Sequence, residues 1–152
     1  VTYEDDVYNV TSIYGFYGWD GIVPDNPDDG PAFQSCNELT SVIIPNSVTS
    51  IGAGAFSYCT NLSSVSIPNS VTVIPEGSFY ACKALNEITI PSSVTKIESA
   101  AFGYYSDSDR SVLMSITLQS RSINIAENSF INILISSINN YFSLLHTITS
   151  SA

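Results

Sequence analysis

Three cysteines stand 23 residues apart, at Cys36, Cys59 and Cys82. Thiols can bridge, ligate a metal or attack an electrophile, and each use demands its own surroundings. A metal site needs a second Cys or a His close by, and neither lies near any of the three. A disulfide needs both a short Cα separation and converging Cβ atoms. Cysteines on neighbouring turns of a stack, about 4.8 Å apart, meet the first condition. Their side chains run parallel, however, which leaves the Cβ atoms too far apart for an easy bridge. The favoured reading is a buried ladder of free thiols acting as small apolar groups, with one bridge as the alternative.

The other candidate chemistry is weaker. The stretch DNPDDG (Asp25–Gly30) gathers three acids before a glycine and could chelate calcium. It is not an EF-hand loop, because Pro27 holds the third place and Cys36 stands where the bidentate Glu belongs. A polar turn explains it better. The Asp107–Asp109 triplet (DSD) is weaker still. His146 is the only histidine, and no G-x-S-x-G elbow, P-loop, H-E-x-x-H or C-x-x-C accompanies it. The expectation is therefore no catalytic residue, no metal and no cofactor. Aromatics cluster early, at Tyr3, Tyr8, Tyr14, Phe16, Tyr17 and Trp19. Tyr14, Tyr17 and Trp19 could stack on sugar rings. More often such residues seal the end of a core, and that reading is favoured. Asn9–Thr11 and Asn61–Ser63 are glycosylation acceptors only in a eukaryotic secretory pathway.

What positions these residues is a repeat. LTSVIIPNSVTSIGAGAFSYCTN begins at Leu39, LSSVSIPNSVTVIPEGSFYACKA at Leu62, and LNEITIPSSVTKIESAAFGYYSD at Leu85. Self-similarity at a period of 23 residues reads as a solenoid. In each copy L-x-x-V/I-x-I alternates as a strand with one buried face. Pro45, Pro68 and Pro91 then end it, since proline cannot continue the ladder. A second extended piece follows at Val48–Ile51, Val71–Ile74 and Val94–Ile97. Small residues before Phe56, Phe79, Phe102 and Phe130 suggest one tight helical turn that drops the ring into the core.

The pattern starts at PAFQSCNE (Pro31–Glu38), with Phe33 and Cys36 in register. Residues 1–30 read as an acidic, aromatic N-terminal cap, residues 31–130 as the repeats, and residues 131–152 as a C-terminal cap. Five extra residues lie near Ser106–Val112, and the fourth copy is degenerate, with Gln119 in place of proline. Ile131, Ile135, Ile138, Phe142 and Leu145 follow helical spacing, so a C-terminal helix could cover the last coil. The alternative makes Leu145–Ser150 one more strand.

The motif L-x-x-V/I-x-I-P-x-S-V-T-x-I-x-x-x-A/S-F-x-x-C resembles the BspA-like leucine-rich repeats of bacterial and protist surface proteins. It is long and in fixed register, and it covers Pro31 to about Phe130. The third copy departs from it by ending in Tyr105 rather than Cys. The resemblance implies a right-handed curved solenoid, a cell-surface or extracellular location, and adhesive or protein-binding work. It carries over no catalytic residue.

Charge limits the partners. The chain of 152 residues has a net charge of −10. Residues 1–38 hold eight acids and no Lys or Arg, whereas residues 39–152 hold six acids and four bases. Nucleic acid, which needs a basic face, is not expected, and an anionic membrane surface is disfavoured. No apolar run approaches the roughly 20 residues of a membrane helix. The Val at the start and the lack of a leader pattern read as a mature or truncated product.

The outward strand positions are Thr40, Ser41 and Ile43; Ser63, Ser64 and Ser66; Asn86, Glu87 and Thr89; and Met114, Ser115 and Thr117. Asn86, Glu87, Thr89, Ser64 and Ser66 are the candidate binding residues. The expected role is a non-catalytic extracellular module, monomeric or weakly oligomeric, that binds a host or matrix protein. The alternatives are a structural spacer within a larger surface protein and a carbohydrate-binding module using the N-terminal aromatics.

Overall fold

The computed structural model describes residues 12–13, 32–103, 113–120, 122–126, 128–130 and 134–140. Ten short strands form the framework: β1 (Ser12–Ile13), β2 (Ser41–Ile43), β3 (Ser50–Ile51), β4 (Ser64–Ser66), β5 (Val73–Ile74), β6 (Glu87–Ile90), β7 (Lys96–Ile97), β8 (Leu113–Leu118), β9 (Asn124–Ile125) and β10 (Leu134–Asn140). All their pairings are parallel. On one side β2 pairs with β4, and β6, β8 and β10 form a second sheet. On the other, β1 pairs with β3, and β5, β7 and β9 pair in turn. β4 packs beside β6, and β3 beside β5.

The register follows the sequence copies. Ser41 faces Ser64 and Val42 faces Val65. Ile88 faces Ile116 and Ile90 faces Leu118, across the stretch that carries the additional residues. The Ser106–Val112 insertion itself lies outside the described residues.

The alternating pattern explains which face is buried. Ile44, Ile67, Ile90 and Leu118 are all in the core, as are Leu62, Leu85, Ile88 and Ile116. β2 and β4 end two residues before a Pro, and β6 ends immediately before one. The carbonyls of Pro45, Pro68 and Pro91 accept from the N–H groups of Val48, Val71 and Val94 at 3.0, 3.2 and 3.1 Å. The serine that recurs in each P-x-S-V turn ties copies together: the Ser70 and Ser93 hydroxyls donate to the Val48 and Val71 carbonyls of the preceding copy.

No helix forms among the described residues, which corrects the helical turn expected before each Phe. The chain closes instead through successive hydrogen-bonded turns. Ala55 N–H donates to Gly52 O at 3.2 Å, and Cys59 N–H donates to Phe56 O at 3.3 Å. The third residue of each turn has a left-handed backbone, Gly54 at φ 67° and Tyr58 at φ 60°. Gly77, Ala100 and Asn128 repeat the first of these, and Ser35 and Ala81 the second. A positive φ at the third place is the mark of a type II turn, and it interrupts a right-handed helix each time. Small residues before Phe therefore signal turn geometry rather than helix propensity.

The rings that these turns deliver form a continuous ladder. Phe33, Phe56, Phe79, Phe102 and Phe130 stack with centroids 5.1, 5.4, 5.5 and 5.2 Å apart and planes within 7° of parallel. Parallel planes at these centroid distances fall in the range of offset stacking, the arrangement that the ring quadrupoles prefer. Full burial of Phe56, Phe79 and Phe102 adds the larger hydrophobic gain.

At the C-terminal side, Leu134–Asn140 is the extended strand β10, paired to β8 with a register shift between Ile135 and Ser137. This corrects the helical reading of that stretch. Apolar residues four and three apart also fit a bulged strand, because the bulge shifts the alternation by one residue. The alternative strand at Leu145–Ser150 lies outside the described residues.

Candidate functional site

The candidate residues occupy two adjacent strands. Ser64 and Ser66 are the ends of β4, Glu87 and Thr89 lie on β6, and Asn86 immediately precedes β6. All five are exposed, while the residues between them, Val65 and Ile88, turn inward. Alternation thus sorts the residues of each strand into core and surface. The face extends to Ser41 and Ile43 on β2, which pair with Ser64 and Ser66. On the other side it extends to Ser115 and Thr117 on β8, which pair with Glu87 and Thr89.

This face is shallow, because its side chains are mostly serine, threonine and asparagine. Two residues stand out. Ile43 is 84% exposed, far more than any other large apolar side chain among the described residues. Glu87 is the one charged residue among the described side chains of β2, β4, β6 and β8. The lysine of the opposite strand row, Lys96, already contacts Glu98 at 2.6 Å.

The cysteines form a ladder beneath the Phe turns. Cys59 and Cys82 are buried, Cys36 is exposed, and all three are free thiols. Each buried thiol donates to a carbonyl one copy back, Cys59 to Phe33 O at 3.0 Å and Cys82 to Phe56 O at 3.2 Å. Burial pushes the Cys82 thiol up to about 12, helped by the neighbouring Cys59. Burial also raises Cys59. These thiols are hydrogen-bonded core residues, held in the protonated form that is the poor nucleophile.

Asn61 sits in the turn before β4, and its amide nitrogen donates to Asn37 O at 2.8 Å. Asn37 Oδ1 in turn accepts from the Thr60 hydroxyl at 2.8 Å. Among the described residues no group of three or more His, Cys, Asp or Glu converges as a metal site would require. No helix among them is long and apolar enough to cross a membrane. The Asp25–Gly30 loop, the Asp107–Asp109 triplet, His146, and the aromatics Tyr14, Tyr17 and Trp19 lie outside the described residues.

Sequence reasoning passed over one element. Ser12 and Ile13 form β1, in register with Ser50 and Ile51 of β3. Gly52 N–H donates to Ile13 O at 2.6 Å. The signal was present: Val10–Ile13 reads VTSI, the same four residues as Val48–Ile51. From Ile51 to Phe56 the chain takes five residues, but from Ile13 to Phe33 it takes twenty. That interval hides the copy from any search at fixed period.

Residues 30–152 match the family of the BspA type leucine rich repeat region, in six copies. Two solved structures are similar. A leucine rich cell surface protein from Faecalibacterium prausnitzii A2-165 is 34% identical, with a TM-score of 0.65 over 74% of this chain. A leucine-rich repeat protein from Bacteroides ovatus ATCC 8483 is 28% identical, with a TM-score of 0.65 over 91% of this chain. The chain spans only 28% and 31% of the lengths of those two proteins. A search of curated proteins found no match. With the family matched over most of its length, the chain belongs to the BspA-type leucine-rich repeats.

Proposed function

We propose that this member of the BspA-type leucine-rich repeats is a non-catalytic, extracellular or cell-surface module that binds or adheres to another protein. In this reading the repeats wind as a right-handed solenoid of 23-residue coils. The binding surface is the strand face carrying Ser64, Ser66, Asn86, Glu87 and Thr89. The observation that carries the reading is their common exposure on neighbouring parallel strands. Behind them lies the ladder of buried Phe rings, which fixes the strands without using any of these side chains. A rigid, preorganised face loses little conformational freedom on binding. The surface location draws on the Faecalibacterium protein, which is named a cell surface protein.

The test is a pull-down of the purified chain against extracellular-matrix and serum proteins, beside a glycan array. A saturable protein hit that weakens in Asn86→Lys or Thr89→Lys supports the strand face. A protein hit indifferent to both substitutions moves the site elsewhere, and a glycan-only response replaces the reading with carbohydrate binding through the N-terminal aromatics. A second reading is a spacer within a larger surface protein, which the short, mostly uncharged side chains of the strand face would also suit. Silence in both assays from a folded chain would support it.

A further inference from the structure

Among its described side chains the shallow strand face has one charge and one large, strongly exposed apolar group, and their arrangement bears on what it binds. Glu87 is exposed on β6, and Ile43 is 84% exposed on β2. Ile43 pairs with Ser66 on β4, β4 packs beside β6, and the 23-residue repeat sets Glu87 at the place of Ser64, which puts the two side chains two strands and two residues apart. At about 4.8 Å per strand and 3.3 Å per residue, the two side chains root about 12 Å from each other. Between and around them lie Ser41, Ser64, Ser66 and Thr89, all exposed and all small. No aromatic ring stands among the described residues of this face, so it lacks the flat apolar platform that sugar rings stack on.

Charge is not balanced within the face. Glu87 makes no ion pair among the described residues, and the ion pair formed by Lys96 is with Glu98, on the other strand row. The chain as a whole carries −10, which attracts cationic partners at long range. A neutral or acidic partner would leave the Glu87 carboxylate covered and without a counter-charge, at a desolvation cost.

We infer that the strand face takes a basic, extended protein segment whose Lys or Arg meets Glu87 while an apolar side chain of the same segment covers Ile43. The separation of about 12 Å matches side chains four residues apart on one face of an extended chain, so the recognised pattern is apolar-x-x-x-basic. The serines and threonines between the two anchors are short enough to let the segment lie flat. They offer hydroxyls to its backbone. This inference rests on the strand face being the binding surface and adds the chemistry of the occupant.

The experiment measures binding of short labelled peptides Leu-x-x-x-Lys, Leu-x-x-x-Gln and Leu-x-x-x-Glu to the full chain and to its Glu87→Gln, Glu87→Lys and Ile43→Ser variants. Both positions are exposed, and circular dichroism checks that each variant is folded. The Lys peptide is expected to bind, more weakly as salt rises. Glu87→Gln is expected to weaken it by about fivefold, the scale of an exposed ion pair. Glu87→Lys is expected to switch the preference to the Glu peptide. Ile43→Ser is expected to weaken the Lys peptide by about tenfold, from lost apolar contact. Equal binding of the three peptides, an unchanged affinity in Glu87→Gln, or no peptide binding would overturn the inference. A protein hit in the pull-down that still weakens in Asn86→Lys or Thr89→Lys would leave the strand face standing without it.

Discussion

Ala100 stands at φ 51° in the turn place that Gly54 and Gly77 fill in the two preceding copies. A left-handed backbone costs a residue with a Cβ about 1–2 kcal/mol, which glycine avoids. Ala100→Gly should therefore stabilise the fold by up to about 1 kcal/mol, since glycine returns part of the gain as unfolded-state entropy. Gly77→Ala should destabilise it by a similar amount, up to about 1 kcal/mol, for the same two opposing reasons. The added Cβ would meet Tyr80 Cβ at an ordinary 3.8 Å, so the cost is backbone strain rather than a clash. Urea melts of both variants check the pair, and equal shifts of the same sign would refute the turn argument. Cys82 titrates on the same scale. Burial lifts its folded pKa to about 12, above the ordinary thiol value of 9.0. The unfolded thiol then loses its proton at lower pH than the folded one, so the unfolded state is favoured as pH rises. The contribution of Cys82 is complete below pH 9.0 and is lost as pH climbs toward about 12. Cys82→Ala should flatten that alkaline loss in a pH series of thermal melts. The cysteine register was readable from spacing alone. The left-handed turn places were not, because Gly, Ala, Asn, Ser and Tyr all occupy them, and a requirement on φ leaves no single residue type behind.

At the scale of elements, the Phe ladder makes neighbouring copies unequal partners. Phe79 is 1% exposed and stacked on both sides, by Phe56 at 5.4 Å and Phe102 at 5.5 Å. Phe33 is 39% exposed, and the ring stacked on it among the described residues is Phe56 at 5.1 Å. Phe79→Ala should cost about 3–5 kcal/mol, as deletion of a fully buried ring does. Phe33→Ala should cost less than half of that, because much of its surface stays in water in the folded state. Denaturant titration of both variants tests this, and equal losses would mean that Phe33 is as enclosed as its neighbours. The short parallel strands were legible because alternation and the terminating Pro write them into each copy. The β1 pairing was not, because a long interval separates Ile13 from Phe33. The β10 strand was misread as a helix because its bulge breaks the alternation that marks a strand. The exposure of Ser64, Ser66, Asn86, Glu87 and Thr89 followed from that same alternation. What they bind did not, since the motif fixes core positions and leaves the outward ones free.

At the scale of the molecule, stability should be a sum over copies and the contacts between neighbours. The copy Leu62–Ala84 offers a direct test, because its surroundings already repeat. Phe56 and Phe102 flank its ring at 5.4 and 5.5 Å. Its turn donors and acceptors reach the copies on either side in the same manner: Phe56 N–H donates to Ser78 O at 2.9 Å, and Phe79 N–H to Ala101 O at 2.8 Å. A second copy of residues 62–84 inserted between Ala84 and Leu85 would meet the same groups at both junctions, with Cys82 again donating to the carbonyl of the ring before it. The enlarged chain should fold, and its urea m-value should rise by about 15%, in proportion to the added buried surface. Its stability should rise too, by one copy and one further interface. The strand face would lengthen by one row, and the distance from Ile43 to Glu87 would grow from about 12 Å to about 16 Å. A segment that bridges the two anchors would then lose one of them, whereas a partner held by the serines and threonines alone would keep its affinity. Aggregation of the enlarged chain, or an unchanged m-value, would show that the copies depend on their ends more than on each other.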